Sequence, residues 1–493
     1  MLSSKASSNR SVPDWVILAI LVSFSLLTFV FPGVQAFYHV EVNYNEGWNA
    51  YNAQTAAGHL PLYATKYNWT TVNYPALSFY VIGYLSHFLG DPVLLGRLIS
   101  LMSLLISCVF VALIVKRLTA RWGPAIFGGA FCLALFCGVA PRYVGMNDPQ
   151  MFAHPFFLAG LWLYLGGAGT NLLIAGIAAL FVLGGNIKHN LLPAPIAVFF
   201  DLFIVSRSKV ARFMLFSVVF LGASIAINTL VGGPFFITQL LMPRDYSFLR
   251  ALKLSIFDYT SLQIPLVISL VWSIWQLRDK KFRIISLYFF ASLLVGIAFK
   301  GGAGVSYNSY FDNFLAMSII MGLSLDLAWQ AASSLGKGNA WRLVPPLMIY
   351  SSVIYTFVLS PYVNVPKHLS QLPERERKFE AEVSFLASRP GPAICESLLL
   401  CYYSGKPYLF DPFNGTMLVK FKKLNAQEIV QQIAEKRFGT IQTDHPVMEI
   451  KRPDQRFPDE ILNAIDHYYE ISQRDPECVI YVPRPNSTDT ERN

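Results

Sequence analysis

Long apolar runs alternate with short polar stretches through the first three quarters of the chain. Runs suited to crossing a bilayer fall near 14–33, 94–115, 124–140, 150–167, 170–186, 191–205, 213–231, 262–277, 284–299, 311–329 and 342–361. Their lengths approach the ~20 helical residues that about 30 Å of hydrocarbon requires. The pattern therefore predicts an α-helical polytopic membrane protein of about 11 spans. A further run at 75–90 is short and carries Ser78, Ser86 and His87. Parity lays it along the surface, because the crossings at 14–33 and 94–115 already return the chain to the side of its N-terminus.

After Val365 the pattern changes. About half of all Lys, Arg, Asp and Glu residues lie beyond this point. Strand-like runs (Ala393–Cys395, Tyr408–Phe410, Thr440–Gln442, Val479–Val482) alternate with helix-like ones (Ala426–Lys436, Pro458–Tyr469). Such alternation predicts a small α/β domain. The expected organisation is a membrane domain at 1–365, with a long first outer loop at 34–93, and a soluble domain at 366–493. No Gly-rich loop follows any of the predicted strands, which excludes the usual nucleotide cradle.

Composition agrees with the pattern. Only 14% of the 493 residues are charged and the mean hydropathy is +0.43, against about 25% charged in soluble domains. The net charge of +9 does not point to nucleic acid, because the cations cluster in short loops. Lys116, Arg117 and Arg121, then Arg207, Lys209 and Arg212, then Arg278, Lys280, Lys281 and Arg283 mark one side as the inside. Lys5 and Arg10 put the N-terminus there too. The C-terminal domain then falls outside a cytoplasmic (inner) membrane. Cys108, Cys132 and Cys137 sit in apolar runs as small core residues. Cys395, Cys401 and Cys478 lack metal-type spacing, and an external location permits one disulfide among them without saying which.

Candidate chemistry gathers on the outer side. The first loop holds Glu46 among Trp48, Tyr51 and Tyr74; a loop carboxylate is ordinarily just solvated, but among rings it can serve as a base or metal ligand. Asp148 precedes Pro149, which has the form of a helix N-cap. Arg142, six residues earlier, either holds an anion beside it or merely lies at the interface. Lys188 and His189 break an apolar pattern, either by snorkelling or by neutralising phosphate, and Arg97, Arg244 and Lys300 invite the same two readings. Asp201 and Asp326 lie near the inner ends of their helices and are expected to pair with nearby cations. A charge at mid-depth costs at least ~2.5–3.5 kcal/mol, and no run carries one there, which argues against an ion-coupled transporter.

In chain order, Asn45-Glu46-Gly47-Trp48, then Asn73-Tyr74-Pro75, Gly96-Arg97-Leu98, Asn147-Asp148-Pro149-Gln150 and Lys188 form a series. The series resembles GT-C-type glycosyltransferases that use polyprenyl-phosphate sugars, nearest to aminoarabinose transferases and protein O-mannosyltransferases. It covers roughly residues 14–205. The family commonly has Asp-Glu at Asn45-Glu46, and Lys-Pro-Pro or His-Pro-Pro at Asn73-Tyr74-Pro75. The resemblance implies inverting transfer from a polyprenyl-phosphate sugar to a lipid, glycan or protein acceptor on the outer face. It implies Glu46 and Asp148 as base or acceptor-orienting carboxylates, and Lys188, His189 and Arg97 as ligands of the donor phosphate. Trp48, Tyr51, Tyr74 and Arg142 would contact sugar or acceptor. No cofactor is implied for certain, and a divalent metal is permitted without a carboxylate cluster to demand it. Alternatives are a lipid-linked glycan polymerase or ligase, and a flippase of lipid-linked sugars.

Overall fold

The computed structural model describes residues 12–167, 169–335, 339–449 and 456–485. Lys5 and Arg10 lie outside them. All eleven predicted runs fold as helices: α1 (Val12–Gln35), α4 (Pro92–Thr119), α5 (Trp122–Val139), α6 (Pro149–Leu165), α7 (Asn171–Ile187), α8 (Pro193–Val205), α9 (Arg207–Gly232), α12 (Gln263–Gln276), α13 (Arg283–Lys300), α14 (Phe311–Ser334) and α15 (Asn339–Leu359). The first loop adds α2 (Asn45–Ala57) and α3 (Leu77–Leu89), and the long loop after α9 adds α10 (Phe236–Leu240) and α11 (Phe248–Tyr259). Among the described residues, eight helical stretches are long and apolar enough to cross a membrane, and α3, α7 and α8 are shorter apolar helices. Helix α11 runs through a 3-10 turn into α12, so that span reaches from Phe248 to Gln276 instead of starting near 262.

Helices α5 and α14 form the centre. Phe136 meets Phe311 edge-on at 4.9 Å, and both are buried. A Cβ on Gly322 would lie 2.8 Å from the Pro124 carbonyl oxygen, so small residues let these two backbones approach. Charges at the helix ends are paired: Asp201 with Arg283 at 2.6 Å and Asp326 with Arg121 at 3.2 Å, as their positions predict, and also Asp14 with Arg342 at 2.5 Å.

The polar, aromatic stretch after α1 is not all loop. Ala50, Ala53, Ala56 and Ala57 favour helix and pack one face of α2 against α3 and α4. Ten of its thirteen residues are buried although its mean composition is not apolar, because protein rather than lipid covers it. Helix α3 lies on α2 and α4, burying Phe79 and Ile82 while exposing Phe88 and Leu89.

Helix α16 (Val365–Ser388) leads into the C-terminal region, whose four strands are β1 (Ala393–Cys395), β2 (Thr440–Thr443), β3 (Tyr469–Asp475) and β4 (Cys478–Pro483). Their order is β1-β2-β4-β3, with β1 and β2 parallel and the other pairs antiparallel. Helices α17 (Leu398–Tyr403), α18 (Pro412–Lys420), α19 (Gln427–Ala434) and α20 (Asp459–Tyr468) complete it. The run 408–410 is irregular chain outside the sheet. Strand β3 carries no apolar alternation, since all but its first residue face outward or lie at the rim, and sequence pattern alone could not announce it.

Candidate active site

Glu46 and Arg97 form a buried pair. Arg97 lies in the second turn of α4, after the Asp91 cap, and its Nε and Nη2 reach Glu46 Oε1 and Oε2, each at 2.7 Å. The backbone N–H groups of Asn147 and Val42 donate to the same two oxygens at 3.0 and 2.8 Å. A carboxylate has about four acceptor positions, and all are taken. Arg97 spends its remaining donors on the carbonyls of Val40, Tyr38 and Ala36. Both side chains are essentially inaccessible, at 0% and 2% exposure.

This corrects two expectations. Glu46 has no lone pair left for an acceptor hydroxyl, and Arg97 has no donor left for a phosphate. Their positions in sequence flagged them because Glu46 is a carboxylate among aromatic rings and Arg97 a charge at the start of an apolar run. That they satisfy one another across 51 residues is visible only in the fold.

The open chemistry lies beside this pair, in a cavity of about 320 Å³ between the helical bundle and the C-terminal region. Asn45, Trp48, Tyr74, Lys188, His189 and Arg244 line it. The Trp48 ring meets Tyr74 edge-on at 5.0 Å. Lys188 follows the last turn of α7 in extended conformation, which turns its side chain inward. It is 2% exposed. Its Nζ stands 3.4 Å from the centre of the Tyr74 ring, and among the described residues no carboxylate lies within ion-pairing distance. Burial lowers its pKa to about 8, with Asp148 opposing and Arg244 adding to the shift. Burial, Lys188 and Arg244 together lower His189 to about 4, so the ring is neutral.

Asp148 is the N-cap of α6. Its backbone is extended and Oδ1 accepts from the Gln150 N–H at 2.8 Å. The carboxylate stays close enough to bias both Lys188 and Tyr74 electrostatically. Tyr51 and Arg142 stand elsewhere. Tyr51 turns away from the cavity, stacks on Tyr408 at 4.7 Å and donates to the Lys406 carbonyl at 2.8 Å. Arg142 is exposed and outside the cavity wall. Their expected contact with sugar or acceptor is not what this geometry offers.

Residues remote in sequence complete the wall. Arg244 comes from the loop after α10, and Glu396, Asp411 and Arg456 from the C-terminal region. The Arg456 guanidinium lies over the Tyr44 ring at 3.9 Å. Arg244 was legible as an outer-loop cation, whereas the other three sit among many charges of a polar region and carried no signal. Asp411 caps α18, and burial raises its pKa to about 6. Among the described residues one set of three metal-ligand side chains converges, His39, Glu376 and Glu380, at the surface and away from this cavity.

No family model and no curated protein sequence matches the chain. Solved structures do. A crystal structure of ArnT from Cupriavidus metallidurans bound to undecaprenyl phosphate is similar over 97% of this chain and 100% of that one, at 12% identity and a TM-score of 0.57. The apo state of ArnT from the same organism is similar over 96% and 99%, at 12% identity and a TM-score of 0.62. An oligosaccharyltransferase from Archaeoglobus fulgidus, in complex with Zn and sulfate, is similar over 95% of this chain and 73% of that one, at 11% identity and a TM-score of 0.53. The fold is thus of the GT-C type, that of a multi-pass membrane protein.

Proposed function

We propose that the chain is a glycosyltransferase that moves a sugar from a polyprenyl-phosphate donor to an acceptor hydroxyl, with inversion at the anomeric carbon. One observation carries this: Lys188 is a buried cation with no ion-paired carboxylate among the described residues, and it lines a cavity it shares with Arg244 and His189. Burying an unpaired charge is costly, and a phosphate of the donor would relieve that cost. The solved ArnT structure bound to undecaprenyl phosphate is similar along its whole length, which supports a lipid-phosphate ligand.

In the proposed reaction the acceptor oxygen attacks the anomeric carbon and the bond to the phosphate oxygen breaks. The electron pair leaves on the lipid phosphate, where Lys188 and Arg244 hold the developing charge. The acceptor proton passes to Asp148, whose second oxygen accepts no hydrogen bond among the described residues. Glu46 and Arg97 act through position: they fix the start of α2, from which Asn45 and Trp48 reach the cavity. A divalent ion, where one takes part, would have to draw on the carboxylates that line the cavity, Glu396 and Asp411 among them.

We place the cavity and the region after residue 365 on the outer face of the cytoplasmic membrane. The Cys395–Cys401 disulfide supports this, because such bonds persist in oxidising compartments. The reading is tested by incubating the purified protein with a panel of polyprenyl-phosphate sugars and following release of the lipid phosphate. Release by wild type and its loss in Lys188→Gln and Asp148→Asn is the expected result. Release that survives both substitutions would remove the assignment of this cavity.

A further inference from the structure

We propose that residues 395–408, tied by the Cys395–Cys401 disulfide, are a positioning element that holds the Glu46–Arg97 pair and the adjoining cavity wall in place. The segment touches the elements that carry both halves of that pair, α2 and α4. Helix α17 lies on α2 at Gly47, where an added Cβ would stand 2.2 Å from the Leu399 nitrogen and 2.3 Å from the Leu398 carbonyl carbon. Only glycine allows backbone contact that close, one residue from Glu46. Four residues on, the same face of α2 is fastened again by Tyr51, through its bond to the Lys406 carbonyl and its stack on Tyr408.

The other half is reached through Tyr403. Its hydroxyl donates to Asp91 Oδ2 at 2.7 Å, and Asp91 is the cap of α4, accepting from the Val93 N–H at 2.9 Å. Helix α4 carries Arg97 in its second turn. Ahead of α17, the Ser397 hydroxyl donates to Glu41 in the strap whose Val42 N–H binds Glu46. Leu398 itself lines the cavity.

The disulfide keeps this segment in its place. Helix α17 has six residues, too few to hold a helix by its own hydrogen bonds. The bond ties its fourth residue, Cys401, to the end of β1, and both cysteines are buried. Loss of the tie frees α17 from the sheet while leaving the helical bundle untouched. The catalytic consequence rests on the glycosyl-transfer reading, but the positional one does not.

Hydrogen–deuterium exchange on the full-length protein in lipid nanodiscs separates the two. In C395S/C401S, exchange across 41–57 is expected to rise about tenfold or more, with α5 and α14 unchanged. Gly47→Ala, which keeps the disulfide but pushes α17 off α2, should give the same pattern. For transfer, kcat should fall about tenfold or more while donor KM changes little, since Lys188 stands on another wall. Unchanged exchange at 41–57 in both variants overturns the proposal. So does equal acceleration in α5 and α14, which would mean a general loss of fold. Should no donor support transfer by wild type, the exchange pattern still decides the positional claim, and only the glycosyl-transfer reading falls.

Discussion

Two buried cations near one cavity are treated in opposite ways. Arg97 meets a carboxylate and three carbonyls and has nothing left to give. Lys188 rests on an aromatic face, with no carboxylate within ion-pairing distance among the described residues. Both break an apolar pattern, and by sequence both are candidates for binding phosphate. The difference is one of saturation. A completed charge pair serves architecture, whereas an uncompleted one keeps its attraction for a ligand.

The comparison is broken most severely at the completed pair. Arg97→Met strands Glu46 in the interior and should cost about 3–5 kcal/mol, seen as a lowered unfolding midpoint and a poor yield of folded protein. Adding Glu46→Leu should restore much of that stability. A single variant that melts like wild type would mean the pair is not structural.

Lys188→Gln should do the reverse. Removing an unpaired buried charge leaves the unfolding midpoint unchanged or raised, while affinity for undecaprenyl phosphate falls by ~1.5–3 kcal/mol, roughly 10- to 100-fold. Calorimetric binding together with a melt distinguishes the two effects. A fall in stability without a fall in affinity would reverse the roles assigned to the two cations.

A titration sharpens the same point. With its pKa lowered from 10.5 to about 8, Lys188 loses its proton above pH 8, and donor-phosphate affinity should fall by up to about tenfold per pH unit beyond it. Stability of the empty protein has the opposite sign. Between about pH 8 and 10.5 the unfolded chain binds more protons at this lysine, so its contribution to stability rises with pH. Glu41 also titrates near 8, its carboxyl raised mainly by burial. The affinity profile should therefore persist in Glu41→Gln and flatten in Lys188→Gln. The smallest effect is expected at Tyr51→Phe, which removes one buried hydrogen bond. It should cost about 1 kcal/mol and leave donor-phosphate affinity as it was, both measurable in the same assays.

The helical architecture was legible because burial in lipid needs nothing more local than length and apolarity. All eleven runs became helices. Helix α2 was not legible, because its covering comes from α3, α4 and residues near 400 and its own sequence is polar. Strand β3 was hidden for the converse reason, having no buried side to leave a pattern. At the site, Lys188 and His189 announced themselves as polar residues between apolar helices, and Asp148 as a cap. Glu46 and Arg97 were noticed rightly as unusual but misread in role, since saturation depends on Asn147, Val42 and three carbonyls. The share of Glu396, Asp411 and Arg456 in the cavity wall follows from how the sheet sits on the bundle, which no local pattern records.

The contact between Gly47 and the backbone of Leu398 and Leu399 also sets an order of events in biosynthesis. The face of α2 made early in synthesis receives its cover only after some 350 further residues have been added and Cys395 has joined Cys401. A nascent chain already threaded through the bilayer therefore has its spans but not its finished site. Competence arrives last, as a consequence of completing the polypeptide rather than of inserting it.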